Sequence, residues 1–391
     1  MTYDLDQPID RRRSDSVKWN RYDSDVLPLW VADMDFLSSE PVRRALHERI
    51  EHGVFGYGRD SRELCDVVVQ RLQGLYGWSV SPEALVLMPG VVTGFNLAVR
   101  AVTSPGDGVL IQTPVYPPFL RAAANAGCTS DEMELTRQSD GRYAVDFELF
   151  ERTVTARTRI FILCNPHNPV GRVFMRDELG RMAEICLRHN MVICSDEIHC
   201  DLTFPGHQHV PIASLSPEIE QRTITLLAPS KTFNIPGLHC SVAVVPDEGL
   251  RRRLCGARAG LVDEVNVLGL VAALAAYRDG QPWLEQVLRY LEANCDSLRQ
   301  YLAEHMPAIH MAKPEGTYLG WLDCRRLGVE GKPFEFFLKQ ARVALGDGAL
   351  FGRGGEGFVR LNFGCRRATL LEALEKMRRA VTGRGSGRDP P

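Results

Sequence analysis

The sequence lacks the features that mark membrane, secreted and nucleic-acid-binding proteins. It has no window of roughly 18 apolar residues, which argues against a membrane-spanning helix. Residues 1–13 are polar and charged, without the apolar segment of a secretory signal. The 391 residues carry 46 basic and 49 acidic side chains, so there is no excess of positive charge to bind nucleic acid. We expect a cytoplasmic protein that binds neither membranes nor nucleic acid.

Paired cysteines and metal-ligand spacings are missing as well. The eleven cysteines, an odd number, are scattered without CxxC pairs, and several lie within apolar stretches, such as Cys164, Cys194 and Cys240. This pattern is typical of small buried side chains in a reducing compartment. It favours neither a disulfide framework nor a metal site.

What the sequence does contain is an alternation of short apolar runs with helical patterns, typical of a mostly parallel sheet flanked by helices. The predicted strands of the first part are 84–88, 109–112, 159–164, 191–195, 223–227 and 241–245. The predicted helices there are 42–52, 62–76, 94–102 and 176–189. Two helices, 266–276 and 283–305, then lead to a second part with strands 316–322 and 358–363 and helices 333–341 and 368–381.

This organisation predicts two domains and two terminal segments. Residues 1–45 form an N-terminal arm that joins the small domain, and residues 46–285 form a large domain. Residues 286–382 form a small α+β domain, and the Gly/Pro/Arg-rich residues 383–391 form a disordered tail.

Several of the predicted strands end in glycine turns or polar residues. Strand 84–88 runs into a turn that starts a helix, and free N–H groups at a helix N-terminus suit a phosphate. The residues of that turn are Gly90, Val91, Val92 and Thr93. By itself such a turn is usually only a turn. Strand 109–112 is followed by Tyr116 between prolines; it could stack on a flat ring, although a half-buried loop tyrosine is the simpler interpretation.

Two further strands end in an amide and an acid. Strand 159–164 runs into a rigid loop with two Asn-Pro pairs, from which the amide of Asn168 could bind a phenolate. Asp196 directly follows an apolar strand, where an acid is poorly solvated and needs a cation. A helix cap or a structural ion pair would explain Asp196 equally well.

Two basic residues lie in apolar surroundings. Lys231 follows Ser230 after strand 223–227, among prolines and Phe233, and desolvation lowers the pKa of a lysine and frees its lone pair. Lone lysines are nearly always solvated surface groups. Arg360 lies inside the apolar strand 358–363, where a guanidinium favours a bidentate anion such as a substrate carboxylate.

Each signal is weak alone, and their occurrence at successive strand ends favours one cofactor. Pyridoxal 5′-phosphate (PLP) carries a phosphate, a phenolate, a ring nitrogen and an aldehyde. The helix N–H groups suit the phosphate and Asn168 the phenolate, while Asp196 keeps the ring nitrogen protonated and Lys231 forms a Schiff base with the aldehyde. The sequence therefore predicts a PLP-dependent enzyme that acts on an amino acid.

Over residues 19–379 the chain resembles the fold-type I PLP enzymes, the class I/II aminotransferase superfamily. The resemblance depends on the order of Tyr116, Asn168 in Asn-Pro-Val-Gly, Asp196, Lys231 and Arg360. It implies the α/β architecture of that fold, with a mostly parallel seven-stranded-type sheet flanked by helices and a smaller α+β domain. It also implies that Tyr116 stacks on the ring and, with Lys231 and Asp196, is catalytic.

The same resemblance implies an assembly. Tyr57, in Phe-Gly-Tyr-Gly, matches the tyrosine that reaches the phosphate of the neighbouring subunit. The expected protein is a homodimer with shared active sites, in which Tyr57 and Asp33 join Arg360 at the substrate.

Longer motifs resemble one branch of that superfamily, the MalY/PatB cystathionine β-lyases. They are the stretches 16–19, 29–36, 195–199, 229–234 and 314–318. His199 stands where aminotransferases place a tyrosine near the phenolate, and we expect it at the cofactor. His239 and Ala228 replace the usual phosphate-binding arginine and serine, so phosphate binding would depend on the turn at Gly90, on Ser230 and on Tyr57.

The resemblance implies a carbon–sulfur β-lyase that cleaves an S-substituted cysteine, such as cystathionine or a thiol conjugate, to a thiol, pyruvate and ammonia. Two alternatives stay open. One is an aminotransferase, or a decarboxylating or oxidative deaminase of a specialised pathway. The other is a non-enzymatic regulator, against which Lys231, Asp196 and Arg360 speak.

Overall fold

The computed structural model describes residues 2–59 and 61–383. The predicted disordered tail lies outside the described residues, except for Gly383, which caps the last helix. Within the described ranges, no helix is long and apolar enough to cross a membrane.

A central sheet of seven strands organises the larger part of the chain. Its order is β2-β10-β9-β8-β7-β3-β4, in which β10 is antiparallel to both neighbours and the other pairs are parallel. The strands of the whole structure are β1 (Leu27–Pro28), β2 (Leu85–Met88), β3 (Gly108–Thr113), β4 (Thr129–Glu134), β5 (Thr136–Arg137), β6 (Tyr143–Ala144), β7 (Thr158–Cys164), β8 (Val192–Asp196), β9 (Thr223–Leu227), β10 (Ser241–Val244), β11 (Leu319–Asp323), β12 (Val343–Ala344), β13 (Gly346–Asp347) and β14 (Phe358–Asn362). The predicted fold class is confirmed.

Burial explains which strands the sequence reveals. Every residue of β3, β8 and β9 is buried, as expected for strands covered by helices on both faces. The edge strand β4 is polar and largely exposed, so its sequence, Thr-Ser-Asp-Glu-Met-Glu, does not have the apolar signal and the prediction omits it.

The helices flank this sheet or cover the second part of the chain. They are α1 (Val17–Asn20), α2 (Glu40–His52), α3 (Arg62–Tyr76), α4 (Val91–Val102), α5 (Pro117–Asn125), α6 (Phe147–Thr153), α7 (Arg176–Arg188), α8 (Pro217–Glu220), α9 (Pro229–Thr232), α10 (Glu248–Arg258), α11 (Val267–Asp279), α12 (Gln281–His305), α13 (Pro333–Phe336) and α14 (Arg367–Thr382). Helix α3 shows why its bounds were predictable. Ser61 caps it by accepting from Leu64 N, and Gly77 ends it at a φ of 65°.

The second part of the chain contains the three-stranded sheet β11-β14-β13. The N-terminal segment contacts it, because β1 pairs in parallel with β12 and Leu29 O accepts from Asn362 N. Helix α12 runs through the predicted boundary at 285/286 without a break. The division into domains stays a prediction.

Helix α4 packs unusually close to strand β9 of the central sheet. A Cβ atom at Gly94 in α4 would lie only 2.9 Å from Leu226 Cδ2 in β9. Glycine therefore lets α4 pack close to the sheet, over side chains such as Leu226 whose burial stabilises the fold by about 1.5–3 kcal/mol each. The first turn of α4 consequently lies beside the end of the sheet.

Candidate active site

A cavity of about 500 Å³ lies at the carboxyl ends of the parallel strands. Ligands of open α/β sheets bind at this edge. The structure brings together eleven of the predicted site residues around it: Gly90, Val91, Val92, Thr93, Tyr116, Asn168, Asp196, His199, Ser230, Lys231 and Arg360. His239, in place of the usual arginine, also lines the cavity.

Lys231 enters the cavity from the short helix α9, which starts two residues after β9 ends. Its Nζ donates to the carbonyl oxygen of Ala32 at 2.7 Å. Burial lowers the pKa of Lys231 to about 8; Arg360 lowers it too, while Asp33 and Asp196 oppose the shift. Roughly a tenth of the side chain is therefore a neutral amine at pH 7, far more than for an ordinary lysine, and a nucleophilic lysine requires this neutral form.

Asp196 is the last residue of β8 and is only 4% exposed. Its Oδ1 accepts from the N–H of Ile198 at 3.0 Å, and it forms no ion pair within the described part of the chain. The pKa of Asp196 is raised to about 7, mainly by burial and also by the charge of Glu197, while the bond from Ile198 and the charge of Lys231 oppose the shift. A cation that docks beside Asp196 would stabilise its charged form, and a protonated ring nitrogen is such a cation.

Arg360 lies in β14 and is 6% exposed. Nη1 donates to Asn168 Oδ1 at 3.0 Å and Nη2 to the carbonyl of Trp30 at 2.8 Å. Nε is buried without a partner, and among the described residues no carboxylate pairs with this guanidinium. Burial lowers the pKa of Arg360 to about 10. A buried, unpaired cation with free N–H groups is suited to an anionic ligand.

Asn168 is positioned by the rigid loop after β7. Its Oδ1 accepts a hydrogen bond from Arg360. Its Nδ2 donates to no group among residues 2–59 and 61–383. Glu315 anchors the end of this loop, because its side chain accepts from Arg172 Nε at 3.0 Å and from Val173 N at 2.8 Å. The amide nitrogen of Asn168 is therefore left to donate into the cavity.

His199 is buried on the same side, and its Nδ1 has no partner in the described chain. The pKa of His199 is lowered to about 3, mainly by burial and also by the charges of Lys231 and Arg360. The ring packs edge-on against Tyr318, with centroids 6.0 Å apart. His199 is therefore a neutral imidazole near neutral pH.

The first turn of α4 and Ser230 form another wall of the cavity. The N–H groups of Val91, Val92 and Thr93 have no intrahelical acceptor, because they belong to the first turn. Together with the positive end of the helix dipole they suit a phosphate. Donors for a phosphate and a phenolate, an acid for a ring nitrogen and an amine for an aldehyde thus surround one cavity, and these residues fit PLP.

Two predicted residues lie elsewhere. Tyr57 is fully exposed and does not line the cavity. Asp33 lines an adjoining cavity of about 740 Å³, and its Oδ2 accepts from Arg11 Nη2 at 2.6 Å. The two cavities share four lining residues: Val31, Ala32, Lys231 and Pro236.

Sequence reasoning missed three contacts at the site. The carbonyls of Trp30 and Ala32 bind Arg360 and Lys231, and the hydroxyl of Tyr318 donates to the same Ala32 carbonyl at 2.8 Å. All three residues belong to stretches that the sequence singles out as motifs of the branch. A motif of side chains does not reveal which backbone carbonyls it positions.

The comparison with known protein families assigns this fold and site to a class. The model of the family "Aminotransferase class I and II" matches residues 24–377, and the chain belongs to that family. Cystathionine beta-lyase PatB of Bacillus subtilis is 41% identical over 387 residues, which cover 97% of this chain and 100% of PatB. Protein MalY of Escherichia coli is 30% identical over 388 residues, 97% of this chain and 99% of MalY. The chain is thus a member of the MalY/PatB branch, as its motifs predict.

Solved structures agree with this placement. The crystal structure of OvoB has a TM-score of 0.94 at 46% identity, covering 99% of this chain and 100% of OvoB. Cystalysin from Treponema denticola, whose crystal structure contains a pyridoxal 5′-phosphate cofactor, has a TM-score of 0.95 at 32% identity, covering 98% and 100% of the two chains.

Proposed function

We propose that the chain is a PLP-dependent carbon–sulfur β-lyase that cleaves an S-substituted cysteine. One observation carries the proposal: three ionisable groups, Lys231, Asp196 and Arg360, are buried around one cavity, and neither the acid nor the guanidinium has an ion-pair partner in the described residues. Buried charges without partners are destabilising, so they are expected where a ligand supplies the missing charges.

Each residue has a distinct task in this proposal. Arg360 binds the α-carboxylate of the substrate, Asp196 keeps the cofactor's ring nitrogen protonated, and Asn168 donates its free amide to the phenolate. Tyr116, half-buried at the cavity wall, packs on the ring. The first turn of α4, with Ser230, binds the phosphate.

Lys231 performs the proton transfer. When bound, the cofactor supplies an electron sink for the electron pair left at Cα. The Lys231 amine accepts the proton from Cα, and its lowered pKa keeps enough of it unprotonated for this role. The Cβ–S bond then breaks with its electron pair on sulfur, and the thiolate takes up a proton, for which the protonated Lys231 is a source, and leaves as the thiol. The remaining three carbons and nitrogen are released by hydrolysis as pyruvate and ammonia.

The branch to which the chain belongs favours the lyase outcome over transamination. PatB, at 41% identity, is a cystathionine beta-lyase, and the structures of C-S lyases from Staphylococcus hominis match at 32% identity with a TM-score of 0.92. The alternative, an aminotransferase, shares the first proton transfer and differs in returning the proton to the cofactor.

A single assay separates the two outcomes. The purified holoenzyme is incubated with L-cystathionine, without a keto-acid acceptor, and free thiol and pyruvate are followed together. We expect equal amounts of both over many turnovers. If turnover needs an added keto acid and releases no thiol, the chain is an aminotransferase and the proposal is wrong.

We also propose that the protein is a homodimer in which Tyr57 contributes to the neighbouring site. The residues that precede Tyr57 in the chain include further exposed apolar side chains, with Ile50 53%, Val54 64% and Phe55 55% exposed. An apolar surface of this kind usually marks a contact with another protein. A cytoplasmic location belongs to the same proposal, since all eleven cysteines are free thiols.

A further inference from the structure

The N-terminal motifs at 16–19 and 29–36 contain charged residues for which the proposed function has no use. Three of them, Lys18, Asp33 and Asp35, form with Arg11 what we call the N-terminal charge cluster. Arg11 bridges the two acids, with Nη2 2.6 Å from Asp33 Oδ2 and Nη1 2.6 Å from Asp35 Oδ1. Lys18 Nζ lies 2.8 Å from Asp35 Oδ2 and 3.9 Å from Asp33 Oδ1.

This cluster is buried to an extent unusual for charges. The side chain of Lys18 is 0% exposed and that of Asp35 only 9%. Both carboxylate oxygens of Asp35 have partners: Oδ2 binds Lys18, and Oδ1 accepts from Arg11 and, at 2.8 Å, from Trp19 Nε1. A buried pair of this kind is seldom retained for stability alone, because apolar residues of similar volume would serve as well.

The peptide segment 30–33 lies between the cluster and the active-site cavity. Its carbonyls contact the two basic residues of the site: Trp30 O accepts from Arg360 Nη2 at 2.8 Å, and Ala32 O accepts from Lys231 Nζ at 2.7 Å. On the cluster side, the Asp33 carbonyl accepts from Lys18 Nζ at 3.1 Å. Lys18 and the active-site groups thus bind the same short stretch of backbone from opposite sides.

A second attachment links this segment to the chain just after Lys231. The side chain of Asn234 accepts from Met34 N at 2.9 Å and donates to the carbonyls of Met34 and Phe36 at 3.0 and 2.9 Å. Arg11 Nη1 also donates to Met34 O, at 3.2 Å. These bonds fix the position of the segment relative to α9, the helix that carries Lys231.

We propose that the N-terminal charge cluster is a positioning unit for the active site: it holds the carbonyls of Trp30 and Ala32 against Arg360 and Lys231, and its member Asp33 supplies negative charge near the Lys231 nitrogen. None of the four residues contacts the proposed substrate or cofactor in this role. The inference rests on the proposed function, because it assumes that Lys231 carries the cofactor.

The electrostatic part of the proposal has a defined sign. Asp33 and Lys231 line the same cavity of about 740 Å³, next to the proposed cofactor site. The charged groups that act on Lys231 are Asp33 and Asp196, which favour a positive charge on its nitrogen, and Arg360, which disfavours it. His199 also interacts with Lys231 but is neutral near neutral pH. Removing the charge of Asp33 should therefore make the Lys231 nitrogen lose its proton at lower pH.

The test compares three variants of the full-length holoenzyme. Asp33→Asn removes the charge while keeping the shape of the side chain. Lys18→Met removes the buried cation that binds the Asp33 carbonyl. The control, Asp25→Asn, lies on the same N-terminal arm and loses a carboxylate held by Arg342 at 2.7 Å, but it contacts neither cavity.

The primary readout is the pH at which the visible absorbance of the bound cofactor changes, since this band reports protonation at the Lys231 nitrogen. We expect the midpoint to fall by about one pH unit in Asp33→Asn and to stay at the wild-type value in Asp25→Asn. In Lys18→Met we expect kcat/KM for the amino-acid substrate to fall about ten-fold through misplacement of the segment. Thermal unfolding of each variant separates this effect from loss of the fold.

The outcomes separate the two proposals. A wild-type protein with no visible band would refute the proposed function itself. A normal band whose midpoint does not move in Asp33→Asn, or moves equally in Asp25→Asn, would overturn the positioning role and leave the lyase proposal intact. A Lys18→Met variant with a lower melting temperature but unchanged kcat/KM and spectrum would show that the cluster is only structural.

Discussion

Replacing Arg360 by lysine keeps a positive charge in the cavity and removes the planar group that would bind a carboxylate. The guanidinium has five N–H groups, and two of them are used, one by Asn168 Oδ1 and one by the Trp30 carbonyl. Nε and one N–H on each Nη remain, which is enough for bidentate docking of an α-carboxylate. A lysine at this position, with one ammonium group, cannot keep both internal bonds and also bind the carboxylate through two.

The size of the effect follows from the bond that is lost. A hydrogen bond to a charged group contributes about 1.5–3 kcal/mol. Losing one of the two substrate bonds should therefore lower kcat/KM for an amino acid by roughly ten- to 150-fold. The bound cofactor should keep its visible band, because the proposed covalent attachment is through Lys231 and a lysine at position 360 keeps the positive charge that acts on it.

The assay measures kcat/KM for one S-substituted cysteine and for the amine that lacks its carboxylate. The wild type should discriminate strongly against the amine, and Arg360→Lys much less. Arg367→Lys is the control, because Arg367 also donates through a guanidinium, to Ser297 at 2.7 Å, but lines neither cavity. If wild type and Arg360→Lys reject the amine equally, the carboxylate binds elsewhere and the reasoning fails.

Four other predictions concern the remaining ionisable groups and the assembly. Lys231→Ala should abolish the covalent cofactor adduct that borohydride traps in the wild type; a variant that still forms one would exclude Lys231 as the attachment residue. Asp196→Asn should retain the cofactor but slow Cα deprotonation by several orders of magnitude, measured in a single turnover. In the cofactor-free protein, the raised pKa of Asp196, about 7, means that its burial destabilises the fold by up to about 4 kcal/mol as pH rises from about 4 to above 7. Asp196→Asn should then be the more stable protein in denaturation at pH 8 but not at pH 4, and an equal difference at both would contradict this. Mixing Tyr57→Phe with Lys231→Ala subunits should give heterodimers with one undamaged site if sites are shared, and an activity count without such a site would indicate separate ones.

The sequence predicted those parts of the fold whose signal is local. Helix α3 matches its predicted bounds, because a serine cap, an apolar periodicity and a C-terminal glycine all lie within Ser61–Gly77. The strands β7, β8 and β9 were found because they are apolar along their length. The polar strand β4 was missed, because it is an edge strand and only its pairing with β3 identifies it.

The cavity was predictable to the extent that its side chains follow the ends of parallel strands. That rule brings Asn168, Asp196 and Lys231 together without any knowledge of their distances. It does not apply to Arg360, which comes from β14 in a different sheet, or to Asp33, whose ion pair with Arg11 takes it out of this cavity. The rule does not apply to Tyr57 for another reason: Tyr57 lies on the surface of its own chain, and its proposed role is in the site of a neighbouring subunit.

The backbone contacts at the site could not be predicted from the sequence. A carbonyl group is present at every residue, so nothing in the letters distinguishes Ala32 from its neighbours. Its role depends on two donors nearly 200 and 286 residues away in the chain, Lys231 and Tyr318. Charged residues buried nearby are an indirect signal of such a backbone contact. Burying Lys18 and Asp35 is unfavourable unless the two are paired, and we infer that their pairing also fixes the neighbouring backbone. In this protein the residues at the strand ends already account for the proposed cofactor, so the buried pair in the N-terminal arm needs another role. We infer that it holds the backbone of residues 30–33, whose carbonyls bind Lys231 and Arg360.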